Sequence, residues 1–307
     1  MASNKLGLAI VLLLMATMSW GGMFPVAKHV LASMDPYYMT FIRYAVVAFI
    51  FVLMLIGFEG LKALKLDGQF LKLLFLGFLG FAGFNLLAFT ALEHSRPEHG
   101  AVIMALQPML ALLLTWLLKG QKPKLFTLIT LITAFLGVFL VITEGHISHA
   151  FSKGTALWDS LFLLGALCWV GYTMGAQWFS HWSALRYTTI TSVLGSLSVG
   201  AVTLVLTLDG TLQMPTLATM IDLHWSLFYL IVFGGVLAVL SWNIGIKLIG
   251  AVNGVLFINF VPITAFIIGV FYGHHFSLAE LIGASLVIGA LIANNQYVRR
   301  TAVVTNH

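Results

Sequence analysis

The sequence predicts an all-α polytopic membrane protein of ten transmembrane helices, arranged as two inverted five-helix repeats. Three observations predict it. Of 307 residues, 60% are hydrophobic and 8% charged, where a soluble domain carries about 25% charged residues; a solvated surface cannot be built from so few charges. Apolar runs long enough to cross about 30 Å of hydrocarbon recur along the whole chain. The chain also superimposes on itself, proline on proline, when it is slid by 154 residues.

The spans fall at 6–30, 36–57, 70–92, 97–118, 124–143, 156–179, 186–207, 225–248, 251–272 and 278–297. The first run exceeds the roughly 7–15 apolar residues of a signal peptide and lacks a small-residue cleavage site, so it reads as a retained helix. Polar breaks such as "GFEGLKALKLDGQ", "LKGQKPK" and "TLDGTLQMP" separate the others. With the N-terminus in the cytoplasm, 11 basic residues fall in inner segments and 3 (Lys28, Arg96 and Lys153) in outer ones, with Arg43 inside the membrane. That bias places both chain ends in the cytoplasm. It also gives the net charge of +5 a topological meaning, with no nucleic-acid partner implied. The single cysteine, Cys168, excludes an internal disulfide framework.

At the offset of 154, Gly80 falls on Gly234, Gly100 on Gly254 and Pro108 on Pro262. At 149, Trp20 falls on Trp169 and Gly22 on Gly171; at 153, Gly120 falls on Gly273. The halves 1–152 and 153–307 therefore carry five corresponding spans each. Five is odd, so the second copy enters the membrane upside down. Two flipped halves that exchange conformations open a central site to one side and then the other, the architecture of many secondary transporters.

The pattern resembles the EamA family of the drug/metabolite transporter superfamily. The resemblance is carried by "WGGMFP" at 20–25, Asp35-Pro36 followed by Arg43-Tyr44, the glycine-containing span 3, "LQPMLALL" in span 4 and the second-half echoes of these. It implies a multi-pass carrier of small metabolites in the bacterial inner membrane, often an exporter of amino acids or related amphipathic compounds. It also implies a cavity lined by spans 1, 3, 4, 6, 8 and 9, with spans 5 and 10 peripheral. One departure is visible: where the family often has Gly-Glu after spans 4 and 9, this chain has Gly120-Gln121 and Gly273-His274.

Candidate site residues follow from intramembrane chemistry. A proline removes a backbone donor and frees the carbonyl four residues back, which in lipid needs a partner from a neighbouring helix or an aqueous cavity. Pro108 and Pro262 near mid-depth, and Pro25 nearer the outer end, are expected helix kinks. Trp20 and Phe24 in span 1, and Trp169 and Tyr172 in span 6, form aromatic faces at repeat-related positions, suited to an apolar or aromatic solute part. Trp242 and the intramembrane amides Asn85, Gln107, Asn243 and Asn259 complete the candidate set; amides equally fasten helices together. Arg43 is either an anion site or a structural charge on the carbonyls of a broken helix. No Asp or Glu lies at the centre of a span, and the histidines, skewed to the outer side, read as solvated loop residues. No His-Glu-x-x-His or Gly-x-Ser-x-Gly motif is present, so no enzymatic apparatus is expected. The expected partners are a small-molecule solute and the lipid bilayer, without cofactor or metal, in a monomer or homodimer.

Overall fold

The computed structural model describes residues 2–120, 122–146, 155–250 and 254–304. The boundary expected at 152/153 and residue Gln121 lie outside them. The described residues are helical almost throughout, with no strand among them. The helices are α1 (Ala2–Leu31), α2 (Pro36–Glu59), α3 (Phe70–His94), α4 (Pro97–Ala105 and Gln107–Lys119), α5 (Leu125–Thr143) and α6 (Thr155–Gly175, continued by a 3-10 turn at Ala176–Phe179). The rest are α7 (Ala184–Leu208), a short helix at Leu217–Asp222, α8 (His224–Ile249), α9 (a 3-10 turn at Val255–Asn259, then Phe260–Phe271) and α10 (Leu278–Val304). Six of these are long and apolar enough to cross a bilayer on their own. The two parts of α4 make a seventh, bent by 47°, and shorter apolar stretches lie at Leu125–Val141, Phe257–Phe271 and Leu278–Asn294.

Local chemistry explains the ends. Asp35 caps α2, its Oδ1 accepting from the Tyr37 and Tyr38 amides at 2.9 Å, with Pro36 in the first turn where no donor is needed. Ser183 caps α7 at the corresponding place, accepting from the Arg186 amide at 2.8 Å. Gly120 (φ 67°) and Gly273 (φ 80°) follow α4 and α9 in the left-handed region, which costs glycine nothing. Pro108 stands in the first turn after the bend in α4, and Pro262 in the first α-helical turn after the 3-10 turn at Val255–Asn259, so the missing N–H leaves no helical carbonyl stranded at either. Pro25 does not interrupt α1, which runs unbroken from Ala2 to Leu31.

The packing repeats with a five-helix shift. Helix α1 packs on α8 and α9, as α6 packs on α3 and α4; α2 packs on α8 as α7 packs on α3. The pairs α2–α7, α4–α9 and α5–α10 map onto themselves. The α5–α10 pair crosses at Gly137 and Gly283, where an added Cβ on either would lie 2.5–2.6 Å from the opposite carbonyl oxygen. Two segments of wider π-helix, Phe78–Gly83 in α3 and Tyr229–Leu237 in α8, stand at repeat-related positions. Lipid-facing side chains such as Phe58 and Leu117 are three-quarters exposed, as expected for a bundle solvated by hydrocarbon.

The symmetry is not complete. Helix α1 packs against α3 and the first part of α4, whereas α6 packs more loosely on α8, which it meets through the Asn243–Tyr172 hydrogen bond, and on α9. The bundle has a basic end, holding Lys62, Lys65, Lys72, Lys124 and Arg186, and an acidic end, holding Glu93, Glu98, Glu144, Asp159 and Glu280.

Candidate functional site

The π-segments organise the centre of the bundle. Such a segment frees carbonyls from the regular helical ladder, and in lipid each needs a donor. In α8, Arg43 from α2 supplies them: its Nε donates to the Leu230 carbonyl at 2.9 Å and its Nη2 to Gly234 at 2.8 Å. The Trp20 indole N–H donates to the same Gly234 oxygen at 3.2 Å. In α3, the Asn85 amide donates to the Gly80 and Phe81 carbonyls at 3.3 and 3.1 Å, while its oxygen accepts from Arg43 Nη1 and the Tyr44 hydroxyl. Arg43 and Asn85 are fully buried, so their polar atoms serve to hold α2, α3 and α8 together. Glycine is required where the partners approach: a Cβ on Gly80 would lie 2.6 Å from the Tyr172 ring.

On this frame α1, α6 and α8 bring three tryptophans together. Trp20 meets Trp169 edge-on at 5.5 Å between ring centroids and Trp242 at 5.3 Å. Phe84 and Tyr172 flank Trp169 at 5.6 and 5.1 Å. Beside the cluster lies a narrow cavity of about 70 Å³, room for a few water molecules and smaller than a typical small-molecule site. It is lined by Gln107, Pro108 and Ala111 of α4, Trp169, Val170, Thr173, Met174 and Gln177 of α6, Trp242 of α8 and Ile258 of α9. This is the place where α6 packs more loosely than α1 does. The cavity reaches the exposed side chain of Gln177 at the basic end.

The expected site residues thus separate. Gln107, Pro108, Trp169 and Trp242 line the cavity, and Trp20 backs it. Tyr172 is buried behind, with its hydroxyl accepting from Asn243 Nδ2, which also donates to Thr188 at 2.7 Å. Phe24 packs on Phe162 at 6.1 Å, away from the cavity. Asn259 and Pro262 are buried in α9 without lining it, although Ile258 does. Gln177 and Met174 carry no signal beyond their helical spacing from Trp169.

The acidic end is closed. Lys28 Nζ donates to the carbonyls of Leu92, Glu93 and Ser95 at 2.8–3.0 Å, covering the C-terminus of α3. Its counterpart at the offset of 149 is Gln177, which lines the cavity at the basic end, where the ties are instead Arg186 to Asp67 at 2.8 Å and Lys247 to the Trp182 carbonyl at 2.9 Å. Arg96, between α3 and α4, bridges Glu144 after α5 and Glu280 at the start of α10, both at 2.9 Å. Its Nε lies 3.7 Å from Glu98. Ser95, His99 and Asp159 form a second tie between the halves: Ser95 Oγ lies 3.3 Å from His99 Nδ1 and donates to Asp159 Oδ1 at 3.3 Å. His99 is therefore a buried helix residue, not a solvated loop histidine, because α6 covers it with Asp159.

A bundle of membrane-crossing helices packed as two related halves around a central cavity is the architecture of a membrane transporter. The chain belongs to the EamA-like transporter family, whose model matches it twice, over residues 7–143 and 156–296. It is 40% identical to the uncharacterized transporter YrdR of Bacillus subtilis over 304 residues, 98% of this chain and 95% of that one. It is 31% identical to the uncharacterized transporter YyaM of the same species, over 92% of each chain. With the uncharacterized inner membrane transporter YicL of Salmonella typhimurium the identity is 23%, over 98% of this chain and 99% of that one. A solved crystal structure shares the fold with a TM-score of 0.67 at 17% identity, covering 95% of this chain and 98% of that one.

Proposed function

We propose that the protein is a bacterial inner-membrane carrier that exports small amphipathic metabolites, of the class of amino acids and related compounds, by alternating access. Ten spans form two inverted repeats, 1–152 and 153–307, and the basic end with both chain ends faces the cytoplasm. The observation that carries this reading is the cavity itself. It lies between α4, α6, α8 and α9 and opens toward the basic end, while Lys28 and Arg96 seal the acidic end. Repeat-related helices hold the closed arrangement at one end and the open one at the other, so exchanging their conformations would move the opening across the membrane. A carrier of phosphate esters or nucleotide sugars is disfavoured, because no basic residue lines the cavity among the described residues.

Counterflow of a panel of amphipathic metabolites in proteoliposomes tests the reading. Saturable exchange is expected, and Trp169→Ala should reduce it at least tenfold in a protein that still folds. No saturable exchange with any solute would overturn the carrier. Impermeant labelling of Lys65→Cys and Gln213→Cys, in repeat-related loops, should find them on opposite membrane faces; a shared face would overturn the inversion.

A further inference from the structure

We infer that Gln177 caps the basic end in the alternate state: when that end closes, its amide takes up the C-terminal carbonyls of α8, as Lys28 holds those of α3 in this structure. This rests on the carrier reading, with its exchange of conformations between the two halves. Lys28 Nζ donates to the carbonyls of Leu92, Glu93 and Ser95 at 2.8–3.0 Å and so pins α1 to the end of α3. The offset of 149 that sets Trp20 on Trp169 also sets Lys28 on Gln177. The offset of 154 that sets Pro108 on Pro262 also sets Leu92, Glu93 and Ser95 on Ile246, Lys247 and Ile249. Exchange of the halves therefore carries the Gln177 side chain to the carbonyls at the end of α8.

In this structure Gln177 is the released member of the pair. Its side chain is exposed and makes no hydrogen bond to another described residue. Helix α6 packs loosely on α8, whereas α1 packs on α3. The helix ends differ in the same way: Ala176–Phe179 form a 3-10 turn, while their counterparts at 27–30 are regular helix within α1. A 3-10 stretch within a helix often marks a hinge. The exchange of lysine for glutamine also sets a bias between the two states. An ammonium at a helix C-terminus meets the negative end of the helix dipole, and its hydrogen bonds are roughly twice as strong as those of a neutral amide. It has three donors where the amide has two. Gly250 stands where Arg96 stands in the first half, so the Arg96 bridge has no repeat-related copy at the basic end. The Gln177 cap is therefore weaker than the Lys28 cap, and the protein rests with its acidic end closed.

The test changes the basic end and reads the acidic one. An impermeant maleimide, added on the acidic-end side, modifies Ala27→Cys in a Cys168→Ser background; Ala27 is fully buried, so the rate follows the open population of that end. Gln177→Lys should raise the rate about tenfold, because a charged cap favours closure of the basic end and with it opening of the acidic end. Gln177→Glu should lower it severalfold, since the same carbonyls repel a carboxylate. Trp178→Lys puts the same charge on the neighbouring exposed residue, outside the cavity, and should stay within twofold of the parent. Melting temperatures show that the variants fold. Rates within twofold of the parent in both Gln177 variants, a change of the same sign in both, or an equal rise with Trp178→Lys would overturn the inference. If saturable counterflow persists beside such a result, the carrier reading stands without it. Labelling that follows the charge at 177, with no saturable counterflow of any solute, would overturn the carrier and leave the two ends coupled.

Discussion

Removing Arg96 should open the acidic end. Its guanidinium joins Glu144 and Glu280 at 2.9 Å each, and its Nε stands 3.7 Å from Glu98. The side chains of Glu98 and Glu280 are 2% exposed, whereas Arg96 is 28% and Glu144 37% exposed. Only the Glu144 contact has hydrogen-bond geometry, and solvent screens it; Glu280 and Glu98 face the guanidinium as ion pairs. Together the bridges favour the closed end by about 1–2 kcal/mol, or a factor of roughly 5–30 in the opening equilibrium. Arg96→Gln also leaves Glu98 and Glu280 buried without their cation, which pushes the same way. The assay is the rate at which an impermeant maleimide, added on the acidic-end side, modifies Ala27→Cys in a Cys168→Ser background. Ala27 is fully buried on the core face of α1, one turn beyond Phe24. The rate should rise at least fivefold with Arg96→Gln, and Arg96→Lys should restore part of the protection. If Arg96→Gln folds and labels within twofold of the parent, Arg96 is not a latch. Glu280→Gln provides an independent variant with the same expected direction.

Two further outcomes follow from the packing. Arg43→Met should lower stability by about 2–4 kcal/mol, because the Leu230 carbonyl loses its donor in a buried site and Asn85 loses one of its two. Thermal denaturation in detergent reads this, and an unchanged melting temperature would refute the carbonyl-capping role. Gly283→Ala should cost about 1–3 kcal/mol, since its Cβ would stand 2.5 Å from the Gly137 oxygen. It should leave solute affinity unchanged because α5 and α10 do not line the cavity; a weakened affinity with intact stability would refute that separation.

Much of the fold was legible because the bilayer imposes length and polarity on each helix. The spans expected at 36–57 and 70–92 match α2 and α3 to within two residues, and Pro108 lies just after the bend in α4, whereas Pro262 follows a 3-10 turn in a continuous helix. The π-segments were not legible: "FLGFAG" and "YLIVFGGVL" have the apolar composition of ordinary helix, and their wider turns become evident only from the carbonyls that Arg43 and Asn85 satisfy. Trp20 and Trp169 could be placed near the centre from the repeat, and Gln107 as an intramembrane amide. Phe24 and Asn243 carry the same signals, yet their partners Phe162 and Thr188 lie far away in sequence and turn them to packing. The acidic-end latch also joins distant segments, so Glu98, Asp159 and Glu280 read in sequence only as acids near span starts.

Reciprocal motion of the two ends is the claim on which the account turns, and paired spin-label distances measure it most directly. One pair at His94 and His275 reports the acidic end, and another at Lys122 and Ser180 reports the basic end; all four are exposed. With Arg96→Gln in the bilayer, the acidic-end distance should lengthen while the basic-end distance shortens. Lengthening at both ends together, or movement at one end with the other fixed, would contradict alternating access by exchange of the two halves.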